Sequence, residues 1–201
     1  GGPLVDSEFP QRGEVWELRI AAFDGYAFGP EGVASVTIGN TPPACSSAQL
    51  SPETGDTSTS FQCRCMDRAD PDDDPSVDSC VFYNGPSEVA NAEAVNGVCL
   101  LNTTDTWRGM ALSCSYTPGD GLDSGEAALS NEAVVINALP TQPEVQLSPA
   151  AGGGDTLFTC GLTVVALDQD NDPLTYTTRW FVNDYMNVGA SSLSMTALDL
   201  H

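Results

Sequence analysis

The segment 108–149 repeats the segment 12–52 about ninety-seven residues downstream. Arg12-Gly13-Glu14-Val15-Trp16-Glu17-Leu18 aligns with Arg108-Gly109-Met110-Ala111-Leu112-Ser113-Cys114, and Asp24-Gly25 with Asp120-Gly121. Asn40-Thr41-Pro42-Pro43 aligns with Asn137-Ala138-Leu139-Pro140, and Leu50-Ser51-Pro52 with Leu147-Ser148-Pro149. Phe61-Gln62-Cys63 then recurs as Phe158-Thr159-Cys160. Solenoid coils repeat every 20–50 residues or so, whereas one small β-sandwich takes about a hundred. The period therefore predicts β-sandwich domains in series.

Period-two alternation supports that reading. From Val15 to Phe23, Trp16, Leu18, Ile20 and Ala22 share one face while Glu17 and Arg19 lie on the other, the pattern of a half-buried strand. Asp24-Gly25 supplies turn chemistry, and Val33–Ile38 is the next strand. Pro42 and Pro43 stop the sheet, because proline donates nothing to a ladder, and stiffen a linker. Further strands are expected at Ser58–Met66, Cys80–Tyr83, Ala111–Thr117 and Ala133–Asn137. A second linker with two prolines spans Ala138–Pro143, followed by strands at Thr156–Leu167, Leu174–Val182 and Leu193–Leu200. Residues 87–97, rich in alanine, glutamate and asparagine, suit a short helix or a loop. No stretch carries an apolar stripe of helical period and length. The fold class is all-β, in tandem sandwich domains joined by proline-bearing linkers: 1–39 the late part of one repeat, 44–137 a complete domain, 144–201 the early part of another.

Charge narrows the partners. The chain has 28 acidic residues against 6 arginines and a formal charge of −22. Nucleic acid needs clustered cations to displace its counterions, and anionic membrane surfaces need them too; neither is expected as a partner. No apolar run approaches the roughly 18–20 residues of a membrane span, so no membrane insertion is expected. Six of the seven cysteines lie between Cys45 and Cys114. The closest pair, Cys63-Arg64-Cys65, lacks the spacing of a zinc knuckle, and the one histidine is His201. Disulfides and an oxidising, extracellular or cell-surface location follow.

As a set, several short motifs resemble tandem immunoglobulin-like repeats of large secreted or surface proteins of bacteria, myxobacteria and their relatives. They are the proline-bearing linkers, Leu147-Ser148-Pro149, the strand Asp155–Cys160, the loop Asp168–Pro173 and the strand end Trp180-Phe181-Val182-Asn183. The resemblance implies a two-sheet sandwich in which an early cysteine bonds to a late-strand cysteine, with tryptophan packed near the bridge. Carried over residue by residue, it pairs Cys63 with Cys114, closing a loop worth roughly 3–4 kcal/mol. Cys160 stands where Cys63 does, and its partner would fall beyond His201, so it is expected to be unpaired or bonded externally. Cys45, Cys65, Cys80 and Cys99 have no counterparts in the other repeats. They are expected to add staples to the middle domain, and four cysteines allow three pairings.

Two acidic loops share the frame D-x-D-x-D-P: Asp70, Asp72 and Asp74 in one, Asp168, Asp170 and Asp172 in the other. Alternate carboxylates can converge on a hard cation such as calcium, although both loops lack the glycine and distal glutamate of an EF-hand. The competing reading is a solvated turn, which aspartate favours for its own reasons. Asp120–Glu126 reads as a hairpin loop, and Asn102-Thr103-Thr104 fits a glycosylation sequon. No nucleophile–base–orienter set is visible, and repeated acidic loops argue against one unique active site.

The expected function is an extracellular structural or adhesive protein, not an enzyme. Its part-domains expose strand edges and apolar faces. Other copies of the chain, by head-to-tail strand complementation into a filament, or neighbouring repeats of a longer array would complete them. The alternative is a carbohydrate-binding accessory module of a larger secreted enzyme, with surface glycans as partners and Tyr26, Tyr83 and Tyr185 as candidate exposed aromatics.

Overall fold

The structure is a computed structural model that describes residues 10–186 and 194–196. Its strands are β1 (Val15–Ile20), β2 (Gly32–Thr37), β3 (Ala44–Ser51), β4 (Thr54–Asp56), β5 (Phe61–Ala69) and β6 (Ser79–Asn84). β7 (Ser87–Glu93), β8 (Val98–Leu101), β9 (Ala111–Thr117), β10 (Ala128–Leu129), β11 (Ala133–Ile136) and β12 (Glu144–Ser148) follow. β13 (Thr159–Val164), β14 (Thr175–Thr177), β15 (Phe181–Val182), β16 (Tyr185–Met186) and β17 (Ser194–Thr196) complete the series. The one helical turn among the described residues is a 3₁₀ segment at Thr103–Asp105. The chain is all-β, and no helix among the described residues is long and apolar enough to cross a membrane.

Two compact units divide the chain. The first comprises residues 10–53, Ser60–Asp105 and Ala111–Ala133. In it β3–β5–β8 forms one antiparallel sheet, with Leu50 opposite Cys63 and Cys63 opposite Cys99. A second sheet runs β7–β6–β9, with β10 also paired to β9 and Phe82 opposite Cys114. Disulfides Cys63–Cys114 and Cys80–Cys99 cross from one sheet to the other, so the two form a sandwich. Leu50, Phe61, Phe82, Leu101, Leu112 and Tyr116 fill it. Each such side chain stabilises the fold by about 1.5–3 kcal/mol relative to exposure. A separate two-stranded hairpin pairs β1 with β2, from Val15 opposite Thr37 to Ile20 opposite Gly32.

The second unit holds Thr54–Thr59, Thr106–Met110 and the chain from Val134 onward. There β4 and β11 run parallel, and β12–β13, β14–β17 and β15–β16 are antiparallel pairs.

Four local expectations need correction. β1 is not half-buried: its apolar face points to solvent, with Leu18 54% and Ile20 63% exposed, because no second sheet layer among the described residues covers the hairpin. Residues 87–93 form strand β7 rather than helix or loop. The turn at Asn84-Gly85, with Gly85 in the left-handed region, delivers them onto the edge of β6, and seven residues are too few to nucleate a stable helix on propensity. The segment Leu174–Val182 is two short strands, broken between Thr177 and Phe181. Of Leu193–Leu200, residues 194–196 are strand and the rest lies outside the described residues. Trp107 falls in the second unit and is 53% exposed, while in the first unit buried Phe82 sits opposite Cys114. Tyr26 and Tyr185 are exposed, Tyr83 only partly.

Candidate functional site

Both acidic loops begin where a strand or extended segment ends and fold by the same local rules. In the first, Asp70 Oδ1 accepts the Asp72 N–H at 3.0 Å, and the Asp73 N–H reaches the Asp70 carbonyl at 3.3 Å. In the second, Asp168 Oδ1 accepts the N–H groups of Asp170 (2.9 Å) and Asp172 (3.2 Å), and Asn171 N–H reaches the Asp168 carbonyl at 3.2 Å. The fourth residue is left-handed in each, Asp73 at φ 56° and Asn171 at φ 59°. Asp and Asn tolerate that region because their short side chains bond locally.

Each loop is held by residues that precede it by one repeat element. The Arg12 guanidinium forms a two-pronged ion pair with Asp74, its Nη2 2.7 Å from Oδ1, and its Nη1 also donates to Asn40 Oδ1 at 2.8 Å. The Arg108 guanidinium pairs with Asp172 in the same way and donates to Asn137 Oδ1 at 2.7 Å. The middle aspartate of each loop accepts a backbone N–H from the residue after that asparagine: Thr41 to Asp72 Oδ2 at 2.7 Å, Ala138 to Asp170 Oδ2 at 2.8 Å. Arg-Gly turns position the arginines. Gly13 and Gly109 lie at φ 84° and 89°, and their N–H groups bond to the carbonyls of Ile38 (2.9 Å) and Val135 (2.8 Å). The same five-part clasp thus occurs twice: arginine, asparagine, the N–H of the residue after that asparagine, and two aspartates.

Other contacts differ between the loops. Around the first, Asn40 Nδ2 donates to Asp120 Oδ2 (2.8 Å) and Asp123 Oδ2 (3.0 Å). The Asn40 bond to Asp120, with the Asp123 and Leu122 N–H groups, holds the Asp120 carboxyl below its ordinary range. The bond to Asp74 raises the Arg12 guanidinium above its usual value. Arg68 lies 3.6 Å from Asp70 Oδ2 and 3.2 Å from Asp78 Oδ1, and donates to the Gly119 carbonyl at 2.8 Å. Around the second, the Thr57 hydroxyl donates to Asp170 Oδ1 at 2.7 Å.

The carboxylate oxygens of Asp70, Asp72 and Asp74 lie within 4.8 Å of one another, and so do those of Asp168, Asp170 and Asp172. Two oxygens that share one calcium ion at about 2.4 Å can be at most about 4.8 Å apart. Either cluster could bind a metal ion. Asp70 Oδ2 is the only buried side-chain oxygen or nitrogen among the described residues that has no hydrogen-bond partner.

The cysteines pair as Cys45–Cys65, Cys63–Cys114 and Cys80–Cys99. Cys160 is unpaired and half-buried. His201 lies outside the described residues. Sequence reading found the aspartates but not the arginines and asparagines that hold them. Arg12 and Arg108 stand at matching positions among only six basic residues. Their scarcity beside 28 acids was the available signal.

No protein-family model matches the chain, and no curated protein does. Among solved structures, the FN1–FN3 domains of chicken CNTN1, a fibronectin type III fragment, align over 92% of this chain at 12% identity with a TM-score of 0.37. This chain spans 62% of that one.

Proposed function

We propose that the chain is a structural or adhesive module of an extracellular protein, in which β-sandwich domains are joined in series and fixed at each junction by an acidic loop. The recurrence of one clasp at Arg12–Asn40–Asp74 and at Arg108–Asn137–Asp172 carries this reading. A catalytic centre is built once; a spacing device is built at every joint. Three disulfides suit an oxidising environment. Its partners are neighbouring repeats of the same kind, in this chain or another copy. Their strands would cover the apolar face of β1–β2, where Leu18, Ile20 and Val36 are exposed, and the pair β12–β13, where Val145 and Val164 are exposed. A metal ion held at an acidic loop belongs to the same reading.

Electron-spin distance measurement tests it, with spin-labelled non-natural residues replacing exposed Ser35 and Glu88. The expected result is a single narrow distance that broadens severalfold in Arg12→Gln. An equally narrow distance in the variant would remove the clasp, and the spacer function with it.

A further inference from the structure

We propose that the first acidic loop, and not the second, is a calcium site, binding one ion per chain through Asp70, Asp72 and Asp74. This deepens the junction reading above and rests on it.

The two loops share a backbone and a clasp but differ in what remains unsatisfied. In the second, Asp168 accepts two N–H groups, Asp170 accepts the Thr57 hydroxyl and the Ala138 N–H, and Asp172 is paired with Arg108 while 34% exposed to water. No buried carboxylate oxygen of that loop is left without a donor. In the first, the Asp70 side chain is only 4% exposed and its Oδ2 lacks a donor. A buried carboxylate oxygen without a partner carries a large desolvation cost. The nearest cation is the Arg68 guanidinium at 3.6 Å, outside hydrogen-bond distance, and it is already committed to Asp78 and the Gly119 carbonyl. A cation seated among the three carboxylates supplies what Arg68 does not.

Charge acts in the same direction. Hydrogen bonds and ion pairs link the first loop to Asp78, Asp120 and Asp123, so six carboxylates share two guanidiniums, Arg12 and Arg68. The second loop's three carboxylates share Arg108. The first therefore has the stronger field for a divalent ion. Calcium suits it better than magnesium. Calcium accepts six to eight oxygens in loose geometry with water completing the shell, while magnesium demands a tight octahedron at about 2.0–2.1 Å.

Isothermal titration of calcium chloride into the chelator-treated chain, disulfides intact, tests the assignment. The expected result is one ion per chain, with affinity for calcium lowered about tenfold or more in Asp70→Asn and within about twofold of wild type in Asp168→Asn. Asp72→Asn carries the same expectation as Asp70→Asn and replaces it if that variant does not fold. No heat of binding, two equivalent ions, or equal losses in Asp70→Asn and Asp168→Asn would overturn the proposal. The junction reading would survive such a result, since it depends on the spin-label distances and on Arg12.

Discussion

Asp78 shows how one buried carboxylate can organise the end of a sandwich. It accepts the Tyr116 hydroxyl at 2.5 Å, the Ser76 hydroxyl at 2.6 Å, the Gly119 N–H at 2.9 Å and Arg68 Nε at 3.2 Å. Burial is the largest single influence and pushes its pKa up; the four donors together outweigh it and hold the carboxyl below its usual range. Burial and the same bond push the Tyr116 phenol above its ordinary value. A carboxyl depressed on folding stabilises the native state above its unfolded pKa of about 3.9, and that stability is lost as pH falls through the folded pKa. Urea unfolding between pH 6 and 2 should therefore show a fall in stability below about pH 4 that is shallower in Asp78→Asn. Glu14, Asp24, Asp56 and Asp120, also depressed, add to the same fall. Tyr116→Phe removes one donor to a charged acceptor and should cost about 2 kcal/mol. It should also move the acid transition upward, because Asp78 then protonates more easily.

At the level of strands, the middle sandwich depends on where its disulfides run. Cys63–Cys114 and Cys80–Cys99 are buried and join opposite sheets, while Cys45–Cys65 is more accessible and joins neighbouring strands β3 and β5. Limited dithiothreitol treatment should open Cys45–Cys65 first, as read by mass spectrometry of alkylated peptides; earlier loss of Cys63–Cys114 would contradict the burial argument. Removing Cys63–Cys114 by paired alanine substitution should cost about 4 kcal/mol, against about 3 kcal/mol for either shorter loop. Strands with their own alternation were legible in sequence: Val15–Ile20 and Ala111–Thr117 declare themselves. Ser87–Glu93 did not, because only the hairpin partner β6 makes its alanines a strand. Nor did the three-way choice among Cys45, Cys65, Cys80 and Cys99, which register alone decides. The acidic triads were visible as spacing; Arg12 and Arg108 were not visible as their partners, since 62 and 64 residues separate the members of each ion pair.

For the molecule as a whole, a charge of −22 sets the response to its medium. Repulsion among exposed carboxylates is screened by salt, so the melting temperature should rise between 0.05 and 1 M sodium chloride. A fall would show that the arginine pairs outweigh the repulsion. The distribution of the clasp has a further consequence. In the serial arrangement proposed above, the arginine and asparagine would lie late in one repeat and the two aspartates early in the next, with Pro42 or Pro140 between the two sets in the sequence. With that arrangement, a gene duplication or exchange that breaks the chain near Pro42 or Pro140 would regenerate matching halves at every new seam. A protein so arranged could lengthen, shorten or shuffle its domains by recombination without any new residue having to evolve at the joints.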